Sequence, residues 1–404
     1  MELKPGYKQT EVGVIPEDWD VIIFKYGYAE SSRNGIYKPA EYQGRGTRIV
    51  NMGELFGLDF ISDQDMNRVE LSSSEASIAA LRDGDLLFGR RSVVPSGAGK
   101  CSLVVKPSTP LTFESSIIRV RLDRKLLDPL FHYYFFSSEF GKKVVGGIIS
   151  GTNIKGIRAS ELRELKIPRP PLPDQLEVAQ ALRDIDDLIG SMEYLINKKH
   201  QTKQATMQEL LTGKRRLPGF EGEWVVKRLG DIAEITMGQS PSSTNYNTHG
   251  RGMPLIQGNA DIKNRETVER VFTTQITKRG FKGDILMSVR APVGEVSRAT
   301  IDVCLGRGVC AIRFPNNFLY HYLIFLEPTW VKHSKGSTFD SINTADLKAI
   351  DIHLPYESLE QIAIAECLAQ MDAELATLEM RLTKAHALKQ GMMQQLLTGK
   401  IRLR

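Results

Sequence analysis

The pentapeptide Leu-Leu-Thr-Gly-Lys occurs twice, at residues 210–214 and 396–400, and each copy closes a stretch with helical periodicity. The copies lie 186 residues apart, Thr212 against Thr398, and the offset holds without a gap back to Gln175 and Gln361. Such self-similarity marks a duplication and is settled before any motif is interpreted. Before the first copy, residues 174–214 contain no breaker stronger than Gly190 and carry Leu182, Ile185, Ile189, Met192 and Ile196. Before the second, residues 358–400 carry Leu368, Met371, Leu375, Leu378 and Leu382. Alternating steps of three and four are the heptad seam of a helix that packs along a partner. Asp174 with Glu177, and Ser358 with Gln361, fit capping boxes at the two starts, and Gly213 fits a C-terminal stop. Each segment reads as one helix of about 39 residues, roughly 58 Å long. A helix of that length needs a partner, and the repeat supplies it.

The text between the helices is of another kind. Residues 1–19 read as a tether with Gly6, Gly13 and Pro16 before Trp19. Short β-type runs follow, such as 48–51, 85–88, 102–105 and 116–121, with an aromatic-rich helix at 128–145 and four prolines in 168–173 as a stop. After the first long helix, a Gly/Pro linker at 215–223 leads to a second mixed domain that retraces the first. Trp19 matches Trp224, Gly84-Asp85 matches Gly283-Asp284, Arg91 and Arg290 each stand six residues past the shared Asp, and Phe131-His132-Tyr133 resembles Tyr320-His321-Tyr322. The expected fold is α+β: two similar globular α/β domains separated by two long antiparallel helices, a coiled-coil-like spacer, with internal pseudo-two-fold duplication. The boundaries read 1–173, 174–214, 215–357 and 358–404. With each domain at the start of its own helix, antiparallel packing predicts domains some 50 to 60 Å apart on a ruler. Such a ruler suits a bipartite, asymmetric target on one face of a duplex, whose successive grooves lie roughly 34 to 36 Å apart.

Composition adds little. A net charge of +5 is a mild bias toward a polyanion. No apolar run approaches a membrane span and the N-terminus lacks a signal-peptide core, so the expectation is a cytoplasmic protein with no membrane partner. Cys101, Cys304, Cys310 and Cys367 show no C-x-x-C pairing, which argues against a zinc site or a disulfide framework.

The segments 7–19 (Tyr-Lys-Gln-Thr-Glu-Val-Gly-Val-Ile-Pro-Glu-Asp-Trp), 209–224 (Glu-Leu-Leu-Thr-Gly-Lys-Arg-Arg-Leu-Pro-Gly-Phe-Glu-Gly-Glu-Trp) and 283–294 (Gly-Asp-Ile-Leu-Met-Ser-Val-Arg-Ala-Pro-Val-Gly), with the duplicated helices, resemble the DNA-specificity subunit of type I restriction-modification systems. The resemblance covers essentially the whole chain. It implies that each domain is a target-recognition domain for one half-site of double-stranded DNA, and that the helices are conserved spacers. It also implies two methyltransferase subunits carrying S-adenosylmethionine, ATP-driven restriction and translocase subunits with ATP and Mg, and no catalysis or cofactor in this chain.

The residues agree in offering no active site. No Asn-Pro-Pro-Tyr or Asp-Pro-Pro-Tyr is present to hold a target amine, and residues 96–101 echo only the end of a P-loop, with Val94 in place of its first glycine and Cys101 in place of the hydroxyl. The alternative is a methyltransferase or nuclease with a cryptic site in one domain. For DNA contact the candidates are loop cations: Arg90 and Arg91 with Arg290 after the Gly-Asp turns, Arg45 and Arg251 flanked by glycines, Lys100, Arg307, Lys155 and Arg158, and Lys332 and Lys335 in the late loop of the second domain. An arginine fork in such a loop suits guanine O6 and N7 or a phosphate. Asp186-Asp187 reads as a solvated helix face or the counterpart of a partner's basic patch.

Overall fold

The computed structural model describes residues 5–94, 97–334 and 341–403, without the side chains of 331–334. It divides into two compact units, one of Met1–Met192 with Arg381–Arg404 and the other of Glu193–Met380. Each unit therefore takes its domain, the first part of one long helix or the last part of that helix, and the complementary part of the other.

The first domain is built on a sheet in the order Tyr28–Asn34, Ile117–Leu122, Leu86–Gly89, Cys101–Val104, Phe60–Ile61. It is antiparallel but for the parallel pairing of Leu103 with Phe60. A second sheet sets Gln43–Val50 between Leu111–Phe113, parallel, and Arg68–Val69, antiparallel. The second domain repeats the scheme with Glu234–Met237, Val309–Arg313, Ile285–Ser288 and Val296–Arg298, again followed by a parallel step, Arg298 beside Glu266. Its other sheet likewise pairs Met253–Ile256 parallel to Val303–Leu305 and antiparallel to Phe272–Thr273. The strands are short and nearly every side chain on the two central ones is buried, as expected where both faces are covered.

The aromatic helix expected over 128–145 is broken into Pro129–Ser137 and Glu139–Gly146. Ser138 makes the break, because its Oγ accepts from Gly141 N at 3.1 Å and so caps a new helix. The aromatic run from Phe131 to Phe136 is buried in the core, as its composition suggested. Residues 7–16 are not the loose tether expected of them but a hairpin, Tyr7–Thr10 with Gly13–Pro16, whose Val12 and Ile15 pack with Trp19, and Tyr7 Oη donates to Gly399 O at 2.9 Å.

The long helices run Leu172–Leu210 and Ser358–Leu396, 39 residues each. Within the first unit Asp174 meets Arg402 and Asp186 meets Lys389; within the second, Lys199 meets Glu374 and Arg216 meets Glu360. One number rises as the other falls, so the helices are antiparallel in each unit. Not every seam residue faces the other helix. Leu182 lies in the first domain's core with Phe131 and Ile167, and Leu368, its equivalent, lies in the second domain's core with Leu347 and Ile352. Met371 packs against that second core too. Ile185, Ile189, Met192 and Leu382 do form the helix-to-helix cluster, joined by Ala385 and Met392. Ile196 and Leu375 are buried and Leu378 is half-buried. A three-four pattern fixes a stripe on a helix but not what covers it, and the opening turns of each helix dock on a domain.

Nor do the helix starts carry the expected capping boxes. The first helix begins two residues before Asp174, whose carboxylate instead accepts from Arg402 at 2.6 Å. Gln361 donates its Nε2 to Pro355 O at 2.8 Å, and Gln175 donates to Pro170 O at the same distance. Both glutamines are buried and latch the incoming chain to the helix rather than capping its first amides. The Leu-Leu-Thr-Gly-Lys endings explain themselves in the same way. Leu396 and Leu397 enter one domain core, Leu210 and Leu211 the other. Thr398 and Thr212 donate to the carbonyls four residues back, Gln394 O and Gln208 O. Gly399 and Gly213 take φ of +67° and +70°, open to glycine without strain, and pass directly against Trp19 and Trp224.

Candidate nucleic-acid interface

In each domain a strand leaves the central sheet and is caught by a later segment. In the first, Arg90 N donates to Ser116 O at 2.8 Å, Ile157 N donates to Arg90 O at 3.0 Å, and Arg91 pairs with Gly156. In the second, Val289 N donates to Gly308 O at 2.9 Å, Ile342 N donates to Val289 O at 3.0 Å, and Arg290 bridges to Ser341. Arg91 and Arg290 thus hold the same backbone position, as the spacing from the shared Asp predicted. Both are exposed, and neither has a side-chain hydrogen bond or ion pair among the described residues.

That shared Asp has a structural task. Asp85 is fully buried and accepts from Arg121 Nε and Nη2 at 2.7 Å each, and Asp284 accepts from Arg313 at 2.9 and 3.0 Å. The paired fork ties the Gly-Asp turn to the neighbouring strand and so aims the segment that ends in Arg91 or Arg290. Sequence reading missed these arginines, although Arg121 and Arg313 both sit near the end of a matched strand.

Four of the predicted cations converge in the first domain. Arg90, Arg91, Lys155 and Arg158 line one open groove of about 350 Å³ together with Ser150 and Ile154. Arg90 Nη1 donates to Ser115 O at 3.3 Å, Lys155 Nζ to Gly151 O at 2.8 Å, and Arg158 stands 3.8 Å from Glu161, a loose exposed contact. Among the described residues no carboxylate lines the groove, and these charges give it a positive field that concentrates polyanions. The other candidates are elsewhere. Arg45 forms a two-pronged pair with Glu70 at 2.5 and 2.9 Å, and the fork holds the Glu70 carboxyl below its usual range. The glycines beside Arg45 and Arg251 serve the sheet: a Cβ on Gly46 would lie 2.6 Å from Val69 O, and one on Gly252 2.1 Å from Thr273 O. Lys100 Nζ donates to Phe56 O at 2.8 Å, at the end of a short helix. Arg251 and Arg307 are exposed without side-chain partners among the described residues, while Lys335 and the side chain of Lys332 lie outside them.

Two further pairs related by the 186-residue offset cross between the helices. Asp186 accepts from Lys389 at 2.5 Å and from Tyr134 Oη at 2.8 Å, so it is a partly buried tie rather than a solvated face. Asp372 accepts from Lys203 in the same register. His132 and His321, also matched, are buried, and loss of water pushes each ring down to about 4, keeping it neutral.

The family model for the type I restriction modification DNA specificity domain matches residues 49–199 and 221–385. A putative type I restriction enzyme MjaX specificity subunit from Methanocaldococcus jannaschii is 31% identical over 99% of this chain and 97% of its own length. The chain belongs to the type I restriction-modification DNA specificity family. Among other specificity subunits, the EcoKI subunit of Escherichia coli is 24% identical over 52% of this chain and 44% of its own. The type I S subunit of M. genitalium shares the fold with a TM-score of 0.62 at 16% identity, covering 98% of both chains. The HsdS subunit of Thermoanaerobacter tengcongensis does so with a TM-score of 0.51 at 24% identity, covering 96% of this chain and 98% of its own. Like its relatives, this specificity subunit carries two recognition domains in tandem. Among the described residues no helix is long and apolar enough to cross a membrane.

Proposed function

We propose that the chain reads an asymmetric, bipartite duplex, one half-site per recognition domain, with the long helices setting the unread spacer. Family membership supports specific DNA binding, and one observation carries the assignment to two reading edges: Arg91 and Arg290 occupy the same hydrogen-bonded position in two domains whose surrounding side chains differ. An arginine fork held on a strand end reaches guanine O6 and N7 in the major groove, and the neighbouring lysines and arginines contact phosphate. The shared position gives both domains one way of approaching DNA; the differing neighbours give each its own sequence. The chain itself performs no chemistry in this reading. Two methyltransferase subunits supply the S-adenosylmethionine reaction on adenine, and restriction subunits supply ATP- and Mg-dependent translocation and cleavage. All of this takes place in the cytoplasm.

Replacing residues 20–170 with the corresponding domain of another family member, followed by sequencing of methylated adenines in cells carrying the partner subunits, tests the reading. One half-site changes, and the other half-site and its domain stay as they were. If both halves change, the domains do not read independently. Methyl transfer by the purified chain alone would overturn the non-catalytic assignment.

A further inference from the structure

Around the cationic groove of the first domain stand apolar side chains that contribute little to its core. Val93 is 77% exposed and Ile154 56%. Val93 follows the strand Arg91–Ser92 and Ile154 precedes its partner strand Lys155–Gly156, so both project from the same two-stranded ribbon. Hydrogen bonds flank both. Ser92 Oγ accepts from Val94 N at 3.0 Å, and Val94 O accepts from Gly97 N at 2.9 Å. On the other side, Ser150 and Gly156 exchange two hydrogen bonds of 2.9 Å, and Gly151 turns the chain at φ +105°, where a Cβ would lie 2.2 Å from Ile154 O.

A single exposed valine or isoleucine is ordinary on a protein surface. Here Ile154 lines the groove with Arg90, Arg91, Lys155 and Arg158, whose charge suits a nucleic acid, and Val93 follows the strand of Arg91 directly across the ribbon from it. A two-stranded ribbon fits the major groove of B-DNA, where the apolar group offered by a base edge is the C5-methyl of thymine. In the second domain Val293, in the loop after Arg290, is half-buried against the core. We propose that Val93 and Ile154 read thymine methyl groups next to the base pair contacted by Arg91, so that the half-site of the first domain contains thymine at a position read through its methyl. The proposal rests on the bipartite reading above and adds to it the chemistry of one half-site.

The test uses the assembled methyltransferase complex with its full chain and the duplex it selects. Each thymine of the half-site that follows the first domain in the swap experiment is replaced in turn by deoxyuridine, which lacks only the methyl. At one or more positions the wild-type complex binds the deoxyuridine duplex about fivefold more weakly, the value expected for one buried methyl. The Val93→Ala/Ile154→Ala double variant binds the two duplexes equally and as tightly as the wild-type complex binds the deoxyuridine duplex, while it still rejects changes at the other base pairs of that half-site, which shows that its first domain folds. Wild-type indifference to deoxyuridine throughout that half-site, a half-site without thymine, or full retention of the methyl dependence in the double variant overturns the proposal and leaves bipartite reading intact. A complex that selects no duplex at all overturns the bipartite reading, and this proposal with it.

Discussion

Each helix end is clasped to the start of the other helix by an ion pair, and the two clasps differ in burial in a way that sets a measurable ratio. Arg216 and Arg402 are related by the 186-residue offset, as are their acceptors Glu360 and Asp174. Glu360 accepts from Arg216 Nε at 2.5 Å and from Nη2 at 2.6 Å, with its side chain 1% exposed and that of Arg216 27%. Asp174 accepts from Arg402 at 2.6 Å, with the two side chains 28% and 43% exposed. A buried pair broken on one side costs about 3 to 5 kcal/mol, because the remaining charge is left without a partner, whereas a well-solvated pair is worth at most about 1 kcal/mol. Arg216 keeps some access to water, so the lower end applies: Glu360→Gln costs about 3 kcal/mol and Asp174→Asn about 1 kcal/mol. Trp224 lies beside the first clasp, with the Arg216 guanidinium 6.0 Å from its ring, and reports on that unit. Urea unfolding followed by Trp224 fluorescence, with Trp19 and Trp330 changed to Phe, measures the first cost; the reciprocal background with Trp19 retained measures the second. A double-mutant cycle with Arg216→Ala separates the pair from the truncation. Equal losses at the two clasps, or a loss below about 1 kcal/mol for Glu360→Gln, would show that burial does not set their strength.

Two other outcomes follow from buried and strained positions in the same two units. His132 is held near 4 by burial while an unfolded histidine titrates near 6.5, so the fold favours the neutral ring; its contribution is complete above pH 6.5, declines as pH falls toward 4 and is constant below. The loss across that window is about 3 kcal/mol, and His132→Leu flattens this part of the stability profile of the first unit; an unchanged slope would refute the assignment. At the helix ends, Gly399→Ala costs about 2 to 3 kcal/mol, since a Cβ there would sit 2.5 Å from Pro16 as well as at positive φ, while Gly213→Ala costs about 1 kcal/mol with its nearest ring atom at 3.2 Å; differential melting of the two variants checks the order.

Much of this molecule was legible because duplication makes a sequence its own control. The two Leu-Leu-Thr-Gly-Lys endings located both long helices to within a few residues, and the shared Gly-Asp turns placed Arg91 and Arg290 in one structural position. What stayed hidden was the identity of partners. Arg121 and Arg313 reach their aspartates across a sheet, and Arg216 reaches Glu360 over 144 residues; such contacts have no local period to betray them. Leu182 and Leu368 misled for a related reason, since a helix stripe looks the same whether a helix or a globular domain covers it. Arg45 and Lys100 are cations whose local neighbours, Glu70 and the Phe56 carbonyl, engage them. The groove of Arg90, Arg91, Lys155 and Arg158 could be named residue by residue from the sequence, yet only the ribbon pairing shows that the four share one surface.

The placement of Leu396 and Leu397 in the core built by residues 24–182 bears on how the protein is made. During synthesis the stretch 193–380 emerges as one uninterrupted piece with every part of its unit in hand. The earlier-born unit must wait, its apolar interior open on one side, until residues 381–404 leave the ribosome and fill it. A stop ahead of Leu396 would therefore damage the part of the protein translated first.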